Sequence, residues 1–277
     1  MTSASSLAQV VAALERRYPP STAEPWDAVG LVCGDPAARV ERILWAVDPV
    51  EDVVDEALAC NADLVVTHHP LFLTGVHSVS ATTAKGRIIH RLIGAGIALY
   101  CAHTNADVAD PGVSDALAAA LGLTSPKPLM PAGESASTGL GRIGDLADAP
   151  TLADFAATVA SALPQTHHGV RVAGDLSRRV RRVAVCGGSG DSLLAAASAQ
   201  GADVLVTADL KHHRALEHLE DGGCAIIDVA HWASEWPWLG LAAGLLEEDL
   251  AAEGSTVVSV VSARPTDPWA MTLRGAL

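Results

Sequence analysis

Apolar residues along this chain fall into short, nearly uninterrupted blocks separated by stretches with helical spacing. Residues 42–47 (RILWAV), 63–67 (DLVVT) and 97–101 (IALYC) are such blocks and predict buried strands. Residues 50–60 and 84–94 carry their apolar positions at helical spacing, and another helix is predicted over 113–121. The same order returns as strand 182–186 (RVAVC), helix 191–200, strand 203–207 (DVLVT), helix 211–220 and strand 224–229 (CAIIDV). Strands alternating with helices in this way predict parallel β-α-β units. Around them lie an N-terminal amphipathic helix capped by Ser5 or Ser6 and stopped before Pro19 and Pro20, and helix 151–163 capped by Thr151. Helix 236–253 then leads into strand 256–262. Residues 124–150, rich in Pro, Gly, Ser and Ala, read as a linker or exposed connection in which GLGRIG (139–144) could begin a strand.

The recurrence has a regular offset. Val40 to Ala62 and Val180 to Ala202 each span 22 residues, and a shift of 140 aligns Ile43 with Val183, Ala57 with Ala197, and Val66-Thr67 with Val206-Thr207. After Thr67 the first copy has a longer loop and the shift becomes 128, which brings His103 onto His231 and Asp107 onto Glu235. Short Val-rich strands match easily by chance; spacing and polar residue types kept together point to an internal duplication. The expected fold class is α/β, with two related α/β halves (residues 1–125 and 126–277) and mostly parallel sheets.

Composition narrows the partners. The 277 residues are nearly half apolar but poor in aromatics, so Ala, Val and Leu must fill the core. A formal net charge of -14 disfavours a nucleic acid as the main partner. The nearest basic cluster, Arg178, Arg179, Arg181 and Arg182, reads as a solvated turn entering a strand. Five cysteines without C-x-x-C spacing read as buried thiols rather than a disulfide or zinc framework. The N-terminus lacks a signal-peptide pattern and no apolar run is long enough to span a membrane, so a soluble cytoplasmic protein is expected.

Three polar clusters each follow a predicted strand, where parallel α/β sheets place their ligands. In VVTHHPLF, His68 and His69 are adjacent; on an extended chain they would point to opposite sides and hold one each of two neighbouring ions. Neighbouring histidines are also common and inert on loops, as with His167-His168 and His212-His213 in this chain. In CAHTNADVADPG, His103 and Asp107 lie four residues apart with Asn105 and Asp110 nearby, and turn or capping chemistry is the plain alternative. In DVAHWASEWPW, His231 and Glu235 form an i, i+4 pair that can chelate if a helix begins there. Together, His68, His69, Asp107, His231 and Glu235 form a donor set suited to two divalent ions, zinc, iron, manganese or nickel, between the two halves. His103 is then a supporting group beside the metals or a general acid/base. VAVCGGSGDS (183–192) could cradle a phosphate on backbone N–H groups, although it matches neither a P-loop nor a dinucleotide fingerprint. The alternative is a tight turn capped by Ser189 or Asp191. No G-x-S-x-G elbow or nucleophilic cysteine context is present.

The motifs WDAVGLVCGD, THHPLF, AHTNADVADPG, GLGRIG, GGSG, GADVLVTADLKHH and DVAHWASEWP, in this order from Trp26 to Trp236, resemble those of the Nif-three-like family. These proteins are also called the GTP cyclohydrolase I type 2 family or dinuclear-metal-centre hexameric proteins. The resemblance implies metal ligands at His68, His69, Asp107, His231 and Glu235, with His103 and Asn105 beside them. It also implies a toroidal homohexamer and, for some members, GTP cyclohydrolase activity. Two positions depart from the family pattern, Ala28 where Asn is usual and Ala208 where Gly is usual; neither is a ligand. The functional expectation is a metal-dependent hydrolase of a nucleotide or phosphorylated small molecule. The alternative is a non-catalytic metal-bound ring serving as a protein-interaction or regulatory module. A plain α/β protein with incidental histidines ranks third.

Overall fold

The structure, a computed structural model, describes residues 5–133 and 137–273. The chain forms two compact units, Met1–Ala109 with Leu239–Thr266, and Asp110–Trp238 with Asp267–Leu277.

The first unit is built on a five-stranded sheet in the order Val258–Val261, Arg42–Ala46, Leu64–Thr67, Ala98–Cys101, Gly30–Cys33. Its first four strands run parallel, and Gly30–Cys33 closes the edge antiparallel. Leu64–Thr67 and Ala98–Cys101 are buried at every residue, as continuous apolar blocks require. Helices Glu51–Ala59 and Ala84–Gly94 place Val53, Val54, Ala57, Ile88, Ile89 and Leu92 against Leu44, Val65 and Leu99 of the sheet. Helix Leu7–Arg17 starts at a capping box: the Ser6 hydroxyl accepts from the Gln9 amide and the Gln9 side chain accepts from the Ser6 amide. It buries Leu7, Val10, Ala13 and Leu14, and Arg17 at its end grips Asp249 with two hydrogen bonds of 2.7 and 2.6 Å.

The second unit carries a six-stranded sheet, Thr124–Pro131, Gly139–Asp145, Arg182–Ser189, Val204–Ala208, Ala225–Val229, Arg171–Ala173. Its three central strands are parallel, while the three outer pairings are antiparallel. The stretch 124–150 is therefore not simply a linker; residues 134–136 within it lie outside the described residues. Pro126, Pro128 and Pro131 are tolerated because Thr124–Pro131 is an edge strand, where a missing N–H need not cost a ladder bond. Gly139 has φ +151, and a Cβ there would lie 2.2 Å from the Met130 carbonyl, so only glycine lets the two strands approach. Arg142 on the second strand is buried, its charge met by two 2.7 Å bonds to Asp115 and by the Gly139 and Gly141 carbonyls.

The recurrence is visible in the register. Ile43 pairs with Leu64 and Val183 with Val204, positions 140 apart. In the third strands Ala98 pairs with Leu64 and Ala225 with Val204, which is a shift of 127. Matching His103 to His231 therefore requires one extra residue in the second copy, and it lies in the strand: Ala225–Val229 is one residue longer than Ala98–Cys101. The helix His231–Ala252 starts before the expected residue 236, and Pro237 lies inside it. Among the described residues no helix is long and apolar enough to cross a membrane.

Candidate metal centre

In the first unit the chain leaves strand Leu64–Thr67 through a bend at His68 and His69. The bend breaks the strict alternation of an extended chain, so the two rings lie 5.0 Å apart, centroid to centroid, rather than on opposite faces. The next strand ends at Cys101 and delivers His103, whose ring lies 5.1 Å from that of His68 and 5.4 Å from that of His69. One ring nitrogen of each of the three lies within 4.8 Å of the others. Asp107, on the short helix Thr104–Val108, places Oδ1 3.7 Å from His68 Nε2.

Each imidazole is anchored through Nδ1. His68 Nδ1 meets the Ala102 carbonyl at 3.0 Å, His69 Nδ1 meets Asp48 at 2.7 Å, and His103 Nδ1 meets Asp27 at 2.9 Å. An Nδ1–H donated to an oxygen leaves Nε2 as the lone-pair nitrogen, the arrangement by which proteins orient metal-binding histidines. Burial alone would raise the Asp27 pKa, but hydrogen bonds from the Thr104 hydroxyl, His103 and the Thr104 and Ala28 amides outweigh it and hold the carboxyl below its usual range. Burial, with the neighbouring His68, lowers the pKa of His103 despite Asp27. Asn105 secures the turn, accepting from the His103 amide at 2.9 Å and donating to the Tyr18 carbonyl at 2.7 Å. Cys101 is no competitor for a metal: burial pushes its thiol pKa up, and it donates to the His68 carbonyl.

In the second unit His231 opens its helix and Glu235 follows one turn later, with Nε2 and Oε1 2.9 Å apart. Asp209 accepts from His231 Nδ1 at 2.7 Å, and that hydrogen bond lowers the Asp209 pKa. Asp209 directly follows strand Val204–Ala208 with φ 59. The fully buried Ser234 accepts the Gly188 N–H at 2.8 Å and donates to the His231 carbonyl at 2.7 Å. Gly188 has φ +66, and a Cβ on it would fall 2.4 Å from Glu235 Oε1 and 3.2 Å from His231 Nε2. The glycine thus leaves room for the two candidate ligands.

This geometry removes the phosphate-cradle expectation for 187–190. The strand runs on to Ser189, the Gly188 amide is committed to Ser234, and the Gly187 amide faces the Ser114 hydroxyl at 3.4 Å. Neither Ser189 nor Asp191 caps the following turn with its side chain. His212 and His213 lie on a helix with no buried residues, in keeping with a wet face. Asp27, Asp48, Asp209 and Ser234 had no role in the sequence reading, and Gly188 entered it only as part of the phosphate cradle. A signal existed for two of them, since Asp48 and Asp209 are acidic residues directly beyond parallel strands.

A family model described as Duf34/NIF3 (NGG1p interacting factor 3) matches residues 5–268. The chain belongs to this family. Among DUF34/NIF3 relatives, a Streptomyces coelicolor protein named GTP cyclohydrolase 1 type 2 homolog is 50% identical over 265 residues, covering 95% of this chain and 93% of the relative. A Mycobacterium tuberculosis protein of the same name is 37% identical, covering 95% of this chain and 96% of its own. That alignment runs over 369 positions, so the mycobacterial relative carries segments without a counterpart here. A solved Bacillus cereus protein related to NIF3 superposes with a TM-score of 0.90 at 27% identity, covering 98% of this chain and 100% of that one. A Staphylococcus aureus hypothetical protein gives 0.89 at 32%, with the same coverage.

Proposed function

We propose that the protein is a metal-dependent hydrolase of a nucleotide or other phosphorylated small molecule, with GTP the first substrate to test. His68, His69, Asp107, His231 and Glu235 are the ligands of two divalent ions, zinc, iron, manganese or nickel. The observation that carries this reading is the common anchoring of the histidines: each is held at Nδ1 by a carboxylate or carbonyl, which leaves Nε2 as the nitrogen able to bind a metal. The imidazole and carboxylate set fits these ions and is free of competing thiolates.

Divalent ions held there supply Lewis acidity toward a phosphoryl or carbonyl oxygen and lower the pKa of water. The residues do the rest. Glu235, 3% exposed and 2.9 Å from His231 Nε2, would hold an ion together with that histidine. His103 carries no ligand role in this reading; with Nδ1 committed to Asp27, its Nε2 takes a proton from the attacking water or returns one to the leaving group. Asp27 keeps that ring in one tautomer and orientation. The names of the relatives favour a cyclohydrolase-type reaction, and the same reading carries a cytoplasmic, toroidal homohexamer of six chains.

The test is incubation of metal-loaded protein with GTP and related phosphorylated compounds, beside a Glu235→Ala variant. Turnover in the parent and its loss in the variant are expected. Equal rates in the two proteins would sink the hydrolase. The family description as an interacting factor favours a second reading, a non-catalytic metal-bound module for a protein partner. It predicts full metal occupancy without turnover of any compound in that panel.

A further inference from the structure

Trp26 is 56% exposed, although the loop that carries it is firmly tied down. The Asp27 amide donates to the Glu24 carbonyl at 3.0 Å, closing a tight turn. The Glu24 amide donates to the Thr104 hydroxyl at 2.9 Å, the Thr104 amide to Asp27 at 3.0 Å, and His103 binds Asp27. With the bond that the Thr104 hydroxyl donates to Asp27, four hydrogen bonds therefore fix this loop to the turn that presents His103. The indole itself stands edge-on to the His103 ring, 6.0 Å away at 76°. Trp45, Trp232 and Trp238 are buried, as indoles prefer. A wet indole on a rigid loop beside three clustered imidazoles forgoes burial and keeps a π-face available.

We infer that Trp26 is the surface on which the planar base of a nucleotide stacks while the histidine cluster handles the reacting group. The inference rests on the nucleotide reading above and adds the residue that selects a base. Stacking needs only a π-face, so it tolerates any base but gives nothing to a phosphate chain alone. The ring contact of Trp26 is with His103, which has no ligand role in this reading, so its removal should leave the metal content intact.

The experiment is calorimetric titration of the metal-loaded protein with GTP and with tripolyphosphate, for the parent, Trp26→Ala and Trp26→Phe. Trp26→Ala is expected to weaken GTP binding about tenfold and to leave tripolyphosphate unchanged. Trp26→Phe should retain most of the GTP affinity. Unchanged GTP affinity in Trp26→Ala, or an equal loss for both probes, would overturn the inference. So would a drop in metal per chain, because the residue would then support the metal cluster rather than a base. Altered particle mass with unchanged GTP affinity would assign the indole to a subunit contact and overturn it as well. If the parent binds tripolyphosphate but GTP no better, Trp26 alone loses its role. If it binds neither, the nucleotide reading falls and takes this inference with it.

Discussion

The two parallel cores share their strand order and registers, yet the polar residues at their strand ends have exchanged duties. In the first unit Asp48 lies beyond the first core strand and holds His69, which lies beyond the second. The positions 140 later are Gly188 and Asp209. There the carboxylate stands beyond the second strand and holds His231, while the end of the first strand has become glycine and makes room for Glu235. Ala208 occupies the position of His68. A duplicated backbone path therefore does not preserve ligand positions. What recurs is the device, an imidazole fixed at Nδ1 by an acidic residue at a strand end.

The largest expected effect separates the charge pairs of the two units. Arg142→Ala should cost about 3–5 kcal/mol in urea unfolding, because it empties the buried arginine site and takes the ion-pair partner from the half-buried Asp115. A loss near that of a surface pair would show that the antiparallel strands of the second unit do not depend on it. Next, Gly188→Ala should cost about 1–3 kcal/mol and deplete bound metal, since the new Cβ meets Glu235. Parent-like metal content in that variant would remove the steric reason for glycine at this position.

Asp48→Asn and Asp209→Asn test whether the device is the same in both units. Each should weaken metal binding about 10–100-fold in chelator competition. If only one variant responds, the equivalence of Asp48 and Asp209 is broken. The smallest effect belongs to the Arg17–Asp249 pair of the first unit, where Arg17→Ala should cost only about 0.5–1 kcal/mol. The hydrogen bond from Arg17 lowers the Asp249 pKa. This contribution is therefore complete above the pKa of an unfolded aspartate, about 3.9. It is lost as pH falls through the lower folded value. Parent and Arg17→Ala stabilities should converge toward low pH; a gap that persists there would contradict the assignment.

Much of this was legible before any coordinates. The strands at 42–47, 63–67, 182–186 and 203–207 announced themselves because a strand buried on both faces has no polar side to interrupt its apolar run. The shift of 140 was readable because the first two core strands keep their register across the copies. The antiparallel pair in 124–150 was harder to see. Proline and glycine normally end a strand, and only the place of Thr124–Pro131 at a sheet edge lets them stay. The anchoring role of Asp27 was invisible for another reason. It meets His103 across 76 residues of chain, and no local spacing records such a meeting.

By itself, the sequence determined which residue types could bind a metal and which strand ends would present them, because periodicity and position along a parallel sheet are local properties. Only the tertiary structure decided which nitrogen each histidine offers, which oxygen holds it, and why Gly188 lies against Glu235. Those outcomes depend on distances between side chains far apart in the chain, and distance is set by folding.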